Sequence, residues 1–180
     1  ECCSPSGELA CGEQAEGDTY GLDNEVSAYR GVDRHMLGPD QAFSFSVDYD
    51  AMVDFVLAID NPGDTPPDMA LVVLEDDGSG ACLPGATLAA SDHVQDEHGN
   101  PPEVVTLLAQ AGVTYHLVVD ASGAGVTGSF TLAAGCVRDC PPGQTDCSGV
   151  CFDLDNDPDH CGACDNSCSY EHATALCVDG

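Results

Sequence analysis

Twelve cysteines are spread very unevenly over these 180 residues. Cys2, Cys3 and Cys11 stand at the front and Cys82 stands alone in the middle. The other eight, Cys136, Cys140, Cys147, Cys151, Cys161, Cys164, Cys168 and Cys177, crowd into the end of the chain. An even count at close spacing reads as a disulfide framework, which forms and persists in an oxidising compartment. The protein is therefore expected to be secreted or displayed on a cell surface. Apolar residues are sparse beyond Cys136, so a stretch this polar cannot bury a sufficient core and must take its stability from cross-links. Residues 137–180 are expected to form a small, disulfide-rich, mostly irregular module.

The preceding stretch has a different texture. In Q-A-F-S-F-S-V-D-Y-D, Phe43, Phe45, Val47 and Tyr49 alternate with Ser44, Ser46 and Asp48, the period of a half-buried strand. M-V-D-F-V-L-A-I-D repeats the pattern with Val53, Phe55, Leu57 and Ile59. M-A-L-V-V-L-E, residues 69–75, is apolar on both faces and suits a central strand. Strands are also expected over 104–110, 113–120 and 128–134, with turn signals at 60–63, 76–80 and 122–128. His116 alternates outward from Tyr115 and Leu117 and reads as a surface residue. Without a capped helical period anywhere, the fold class is all-β: an antiparallel, jelly-roll-like β-sandwich over residues 17–136. Residues 1–16 read as a separate cysteine-bearing segment.

Charge narrows the partners. Thirty-two acidic residues face three basic ones, Arg30, Arg34 and Arg138, for a net charge of −29. Such a surface repels nucleic acid and anionic lipid. No apolar run is long enough for a membrane helix, so membrane insertion is not expected. The self-repulsion must be offset by salt, by bound cations, or by both. A Met start, a charged leader and a cleavage site are all missing, which reads as a mature or excised piece.

The β region resembles the bacterial pre-peptidase C-terminal type of domain. The likeness rests on G-P-D-Q-A-F-S-F-S-V (38–47), P-D-M-A-L-V-V-L (67–74), A-G-V-T-Y-H-L-V-V-D (111–120) and G-S-F-T-L (128–132). It implies a non-catalytic sandwich appended to secreted proteins. Residues 140–180 resemble a Stig1-type cysteine-rich repeat through C-P-P-G-Q-T-D-C-S-G-V-C, H-C-G-A-C-D-N-S-C and C-V-D-G, with His160 where asparagine is expected. That resemblance implies an extracellular structural module. The Stig1-type pattern runs on to one more cysteine after C-x-x-G. Joined head to tail, Gly180 would be followed by Glu1-Cys2, which supplies it. The knot would then use Cys140, Cys147, Cys151, Cys161, Cys164, Cys168, Cys177 and another copy's Cys2, leaving Cys3, Cys11, Cys82 and Cys136 for the sandwich. A tandem array and an arbitrary boundary both fit this arrangement.

Two clusters are candidate metal sites. Asp153, Asp155, Asp157 and Asp159 stand at alternate positions, as in a calcium loop. Pro158 and Cys164 occupy the places where an EF-hand wants glycine and glutamate, so a disulfide-held calcium loop and a self-capping turn remain the two readings. Asp92, His93, Asp96, Glu97 and His98 crowd one loop and could take a transition metal, or form a polar loop. Zinc on Cys161, Cys164, Cys168, His160 and His172 competes with disulfide pairing of the same thiols. A redox C-x-x-C needs nearby positive charge that Asp157, Asp159 and Asp165 do not provide. The sequence carries no lysine, G-x-S-x-G, H-E-x-x-H or P-loop, and no enzymatic activity is expected.

The reading that follows is an extracellular structural protein, the subunit or tandem repeat of a bacterial fibre, filament or surface layer. Disulfides and, on one of the two readings above, calcium hold it together, and its partner is further copies of itself. The alternative is a non-catalytic accessory domain of a larger secreted hydrolase that binds carbohydrate or protein, a role that a ring of exposed aromatics would support.

Overall fold

A computed structural model describes residues 4–33, 35–60, 67–78, 83–93, 101–168 and 176–178. They belong to two compact units, Glu1–Cys136 and Val137–Gly180. Eleven strands are defined among the described residues. They are β1 (Glu8–Leu9), β2 (Gln14–Asp18), β3 (Asp40–Ser46), β4 (Ala51–Ile59), β5 (Met69–Glu75), β6 (Thr87–Ser91), β7 (Glu103–Ala109), β8 (Thr114–Ala121), β9 (Ser129–Arg138), β10 (Thr145–Cys147) and β11 (Val150–Phe152). The fold is all-β, with one short 3-10 turn at Pro84–Ala86 as its helical element among the described residues.

The first unit is a sandwich of a five-stranded sheet, β1-β3-β8-β5-β6, and a four-stranded sheet, β2-β9-β4-β7. Alternation decides which side chains meet between them. Phe43 and Phe45 lie opposite Leu117 and Tyr115 across the β3–β8 ladder. They point at Phe55 and Phe130 from the other sheet. The Phe45 and Phe55 rings meet edge to face with centroids 4.8 Å apart, and Phe43 and Phe130 meet likewise at 6.2 Å, a geometry the aromatic quadrupole favours. Valines, leucines and alanines of β4, β5, β8 and β9 fill the rest of this buried layer.

The front of the chain is not a separate segment. Glu8–Leu9 pairs with β3, and in parallel, so the larger sheet is mixed rather than wholly antiparallel. Gln14–Asp18 pairs with β9, and Cys11 is bonded to Cys136. Gly17 stands opposite Phe130 in that ladder, and a Cβ there would come within 2.2 Å of the ring. Only glycine lets the two strands close over the phenylalanine. The strand β6, T-L-A-A-S, was not expected from the sequence, because it has only three apolar residues and two of them, Leu88 and Ala90, face solvent.

The outer face of the five-stranded sheet is also covered. Val26, Tyr29 and Met36, from the irregular segment between β2 and β3, pack on Ala42, Ala70, Val72, Leu74 and Val118. This explains why β5 is apolar on both faces and buried on both. It also corrects the reading of His116. The ring does alternate onto the face away from the central core, but it is only 3% exposed because that face is not solvent.

The second unit is held mainly by cross-links. The hairpin β10–β11 turns at Ser148 and Gly149, with φ of 57° and 88°. Two successive positive φ values are the mark of a type I′ turn, whose twist matches that of the strands. Asp146 accepts the Gly149 N–H at 2.7 Å and the Arg138 N–H at 3.0 Å, two bonds within the second unit that brace the turn.

Candidate functional site

The aspartate run folds back on its own backbone. Asp153 accepts the Asp155 N–H on one carboxylate oxygen and the Asn156 side-chain amide on the other, at 3.1 and 3.0 Å. Its carbonyl accepts the N–H of Asn156 and Asp157. Asp157 accepts the Asp159 N–H at 2.9 Å, and its carbonyl takes the His160 N–H. These are side-chain-capped turns of the kind aspartate favours. Among the described residues no three His, Cys, Asp or Glu side chains converge as metal ligands, so Asp153, Asp155, Asp157 and Asp159 are not gathered into a cation cage.

The neighbouring cysteines are consumed by disulfides. Cys140 bonds Cys151, Cys147 bonds Cys164, and Cys161 bonds Cys177. The zinc and redox readings of Cys161-Gly-Ala-Cys164 lapse, since each sulfur is bonded to a cysteine outside the motif. His160 stacks on Phe152 with ring centroids 3.7 Å apart and accepts the Asp165 N–H on Nδ1. It is a packing residue of the knot. Among the described residues Cys168 is the one cysteine outside a disulfide, and it is half-buried. Cys2, Cys3, Cys82 and His172 lie outside the described residues.

The second candidate cluster has a partner that sequence reading missed. His93 presents Nδ1 to Oε2 of Glu103 at 2.7 Å, and its backbone N–H donates to Oε1 at 2.9 Å. Ser91 Oγ donates to the same Oε2 at 2.6 Å. Glu103 is wholly buried, while the His93 side chain is 60% exposed. Serine, histidine and carboxylate meet here, but not as a catalytic relay, which needs the serine on the far ring nitrogen from the carboxylate. Here the serine proton goes straight to the glutamate. The cluster fastens the end of β6 to the start of β7, and Asp92 sits beside it. Asp96, Glu97 and His98 lie outside the described residues.

The strongest electrostatic feature was not foreseen at all. Asp40 and Asp120 are directly opposed across the β3–β8 ladder, both buried beneath the covering segment. Asp40 Oδ2 accepts the N–H of Glu25 and Val26 at 2.9 and 3.0 Å. Tyr29 donates its hydroxyl to Asp120 Oδ2 at 2.8 Å, and Asp120 Oδ1 is buried with no hydrogen-bond partner. Burial pushes the Asp40 carboxyl above its ordinary range, against the pull of the Val26 and Glu25 amides. Burial also drives Asp120 up to about 8, opposed by the Tyr29 hydroxyl and assisted by the charge of Asp40. The alternation that puts Asp120 on the face of Val118 was legible. That this face is covered was signalled only by the apolar outward residues of β5.

Among the described residues, carboxylates line two open grooves of the sandwich. One has Asp23, Glu25 and Asp40 in its wall, the other Glu16, Asp18 and Asp60. Among the described residues the strongly exposed apolar side chains are aliphatic except for Tyr20, so no aromatic platform for a sugar is present there.

Residues 111–180 match the stigma-specific STIG1-like protein family. The match begins inside the sandwich, taking in β8 and β9, and runs through the cysteine-rich unit. Among solved structures, the pre-peptidase C-terminal domain of a collagenase from Bacillus anthracis is similar over 74% of this chain and 99% of its own length, at 12% identity and a TM-score of 0.46. No curated protein sequence matches the chain.

Proposed function

We propose that this chain is a non-catalytic extracellular structural module that is joined to further copies of itself through Cys168. The observation carrying this reading is the thiol parity of the knot. Six of its cysteines pair with one another, Cys168 does not, and Cys11 and Cys136 pair within the sandwich unit. Of the twelve cysteines, this leaves Cys168 and the three at positions 2, 3 and 82. Three thiols cannot all pair among themselves. On the proposed reading Cys168 is left for a cysteine of another copy, and Cys2 is the partner that the head-to-tail reading names.

Two different ends that join heterologously generate an open chain of copies rather than a closed dimer. A covalent joint also answers the charge problem, since units of net charge −29 repel one another and cannot rely on weak contact at low salt. The alternative, a non-catalytic accessory domain that binds carbohydrate or protein, is also compatible with the STIG1-like match over residues 111–180; exposed aromatics would favour its sugar-binding form, and among the described residues Tyr20 is the one strongly exposed aromatic.

Oxidised wild-type protein, denatured and run without reductant, is expected to form a ladder in multiples of 18.5 kDa. Cys168→Ser is expected to collapse the ladder to monomer. A fully oxidised wild-type monomer would overturn the proposal.

A further inference from the structure

The segment between β2 and β3 is tied to the outer sheet face at one end by a group of acids. Asp40 holds the Glu25 and Val26 amides, while Tyr29 reaches across to Asp120. The two carboxyl groups face each other on adjacent strands, close enough across an antiparallel ladder for their charges to couple strongly. An ionised carboxylate accepts hydrogen bonds only, whereas a protonated one can also donate. Asp120 Oδ1 is fully buried without a partner, so an ionised Asp120 would leave charge on an oxygen that nothing compensates.

We propose that Asp40, Asp120 and Tyr29 form a proton-operated clasp that fastens the covering segment to the sheet, and that loss of one proton loosens it. The titratable groups facing Asp120 are Asp40 from β3 and Tyr29 from the covering segment, with Glu25 beside Asp40. Its neighbour on β5 is Ala70. His116 lies four residues away along β8 on the same face, with Asp76 at 3.8 Å from its Nε2. Among the described residues no arginine is hydrogen-bonded to either acid.

The sign follows from where the proton is held. The buried acid keeps its proton up to about pH 8, whereas the same acid released into water gives it up near 3.8. Closing therefore takes up a proton between those limits. The constant for opening rises by up to roughly tenfold per pH unit across that window and levels off above it. Opening would bare the apolar face of Ala42, Val72 and Val118, an alkaline-exposed surface that is shut at lower pH. The clasp is independent of Cys168.

Amide hydrogen exchange at Glu25 and Val26 in the full oxidised chain tests this. After correction for the intrinsic pH dependence of exchange, protection is expected to fall at least about tenfold from pH 6 to pH 8. Asp120→Asn keeps the tyrosine contact and cannot titrate, and its protection is expected to be flat. Unchanged wild-type protection, or a variant that tracks wild type, would overturn the proposal. Should the variant fail to fold, the carbon-13 shift of the Asp120 carboxyl in wild type decides. A midpoint near 8 supports the clasp, and one in the ordinary carboxylate range refutes it.

Discussion

Replacing Cys11 and Cys136 together with serine is expected to lower the unfolding free energy of the sandwich by about 5 kcal/mol. The bond joins positions 125 residues apart, so without it the unfolded chain recovers the entropy of an open loop of that length. It also pins the first strands, which have little else: β1 is two residues long and β2 presents Ala15 and Gly17 inward. Domains of this kind have only about 5–15 kcal/mol in hand, so the variant should be marginal at room temperature. Both cysteines must be replaced, because a single thiol left behind would invite exchange with the knot. Urea unfolding of the two proteins measures the difference. A loss below about 1 kcal/mol would mean that the bond closes a region already ordered in the unfolded ensemble.

Phe45→Ala is expected to cost about 4 kcal/mol, the second large effect. The ring is wholly buried, meets Phe55 edge to face and lies 6.4 Å from Tyr115. Truncation removes both contacts and leaves a void between two sheets that disulfides and ladders prevent from collapsing. Phe45→Leu keeps most of the apolar volume and should cost far less. Equal losses for the two variants, read from the same urea transitions, would show that the ring geometry and the void contribute nothing.

The residues behind these two effects were readable to different degrees. Phe45 and Phe55 declare themselves by strict alternation, but that their strands fall in different sheets did not follow from the sequence. The cysteine-rich end was legible as a knot from its polarity and spacing, though its pairing was not. What the sequence hid was everything made by irregular backbone. Val26, Tyr29 and Met36 have no common period, so nothing local says that they seal a sheet face. The consequence was a mistaken surface role for His116 and no notice of Asp40 and Asp120. The double-sided apolar run at Met69–Glu75 held the clue, because an outward-facing valine or leucine implies a cover. Glu103 was missed for the same reason. A glutamate opening a strand reads as solvated until Ser91 and His93 are seen to close over it.

The aspartate run shows the reverse case. Four carboxylates at alternate positions look like a ligand set, yet two of them, Asp153 and Asp157, accept the amides two residues on. Short acidic side chains in turns satisfy local N–H groups first, and only a fold that turns several of them inward makes a cation site.

Whether Cys168 joins one copy to the next can be settled by mixing isotope-labelled and unlabelled reduced chains in equal amounts, oxidising them together, and digesting the product with pepsin without reduction. The account predicts that the peptide carrying Cys168 is disulfide-linked to a peptide of the opposite label in about half of its copies, as random joining between separate chains requires. Finding Cys168 as a thiol, or linked only to peptides of its own label, would contradict it.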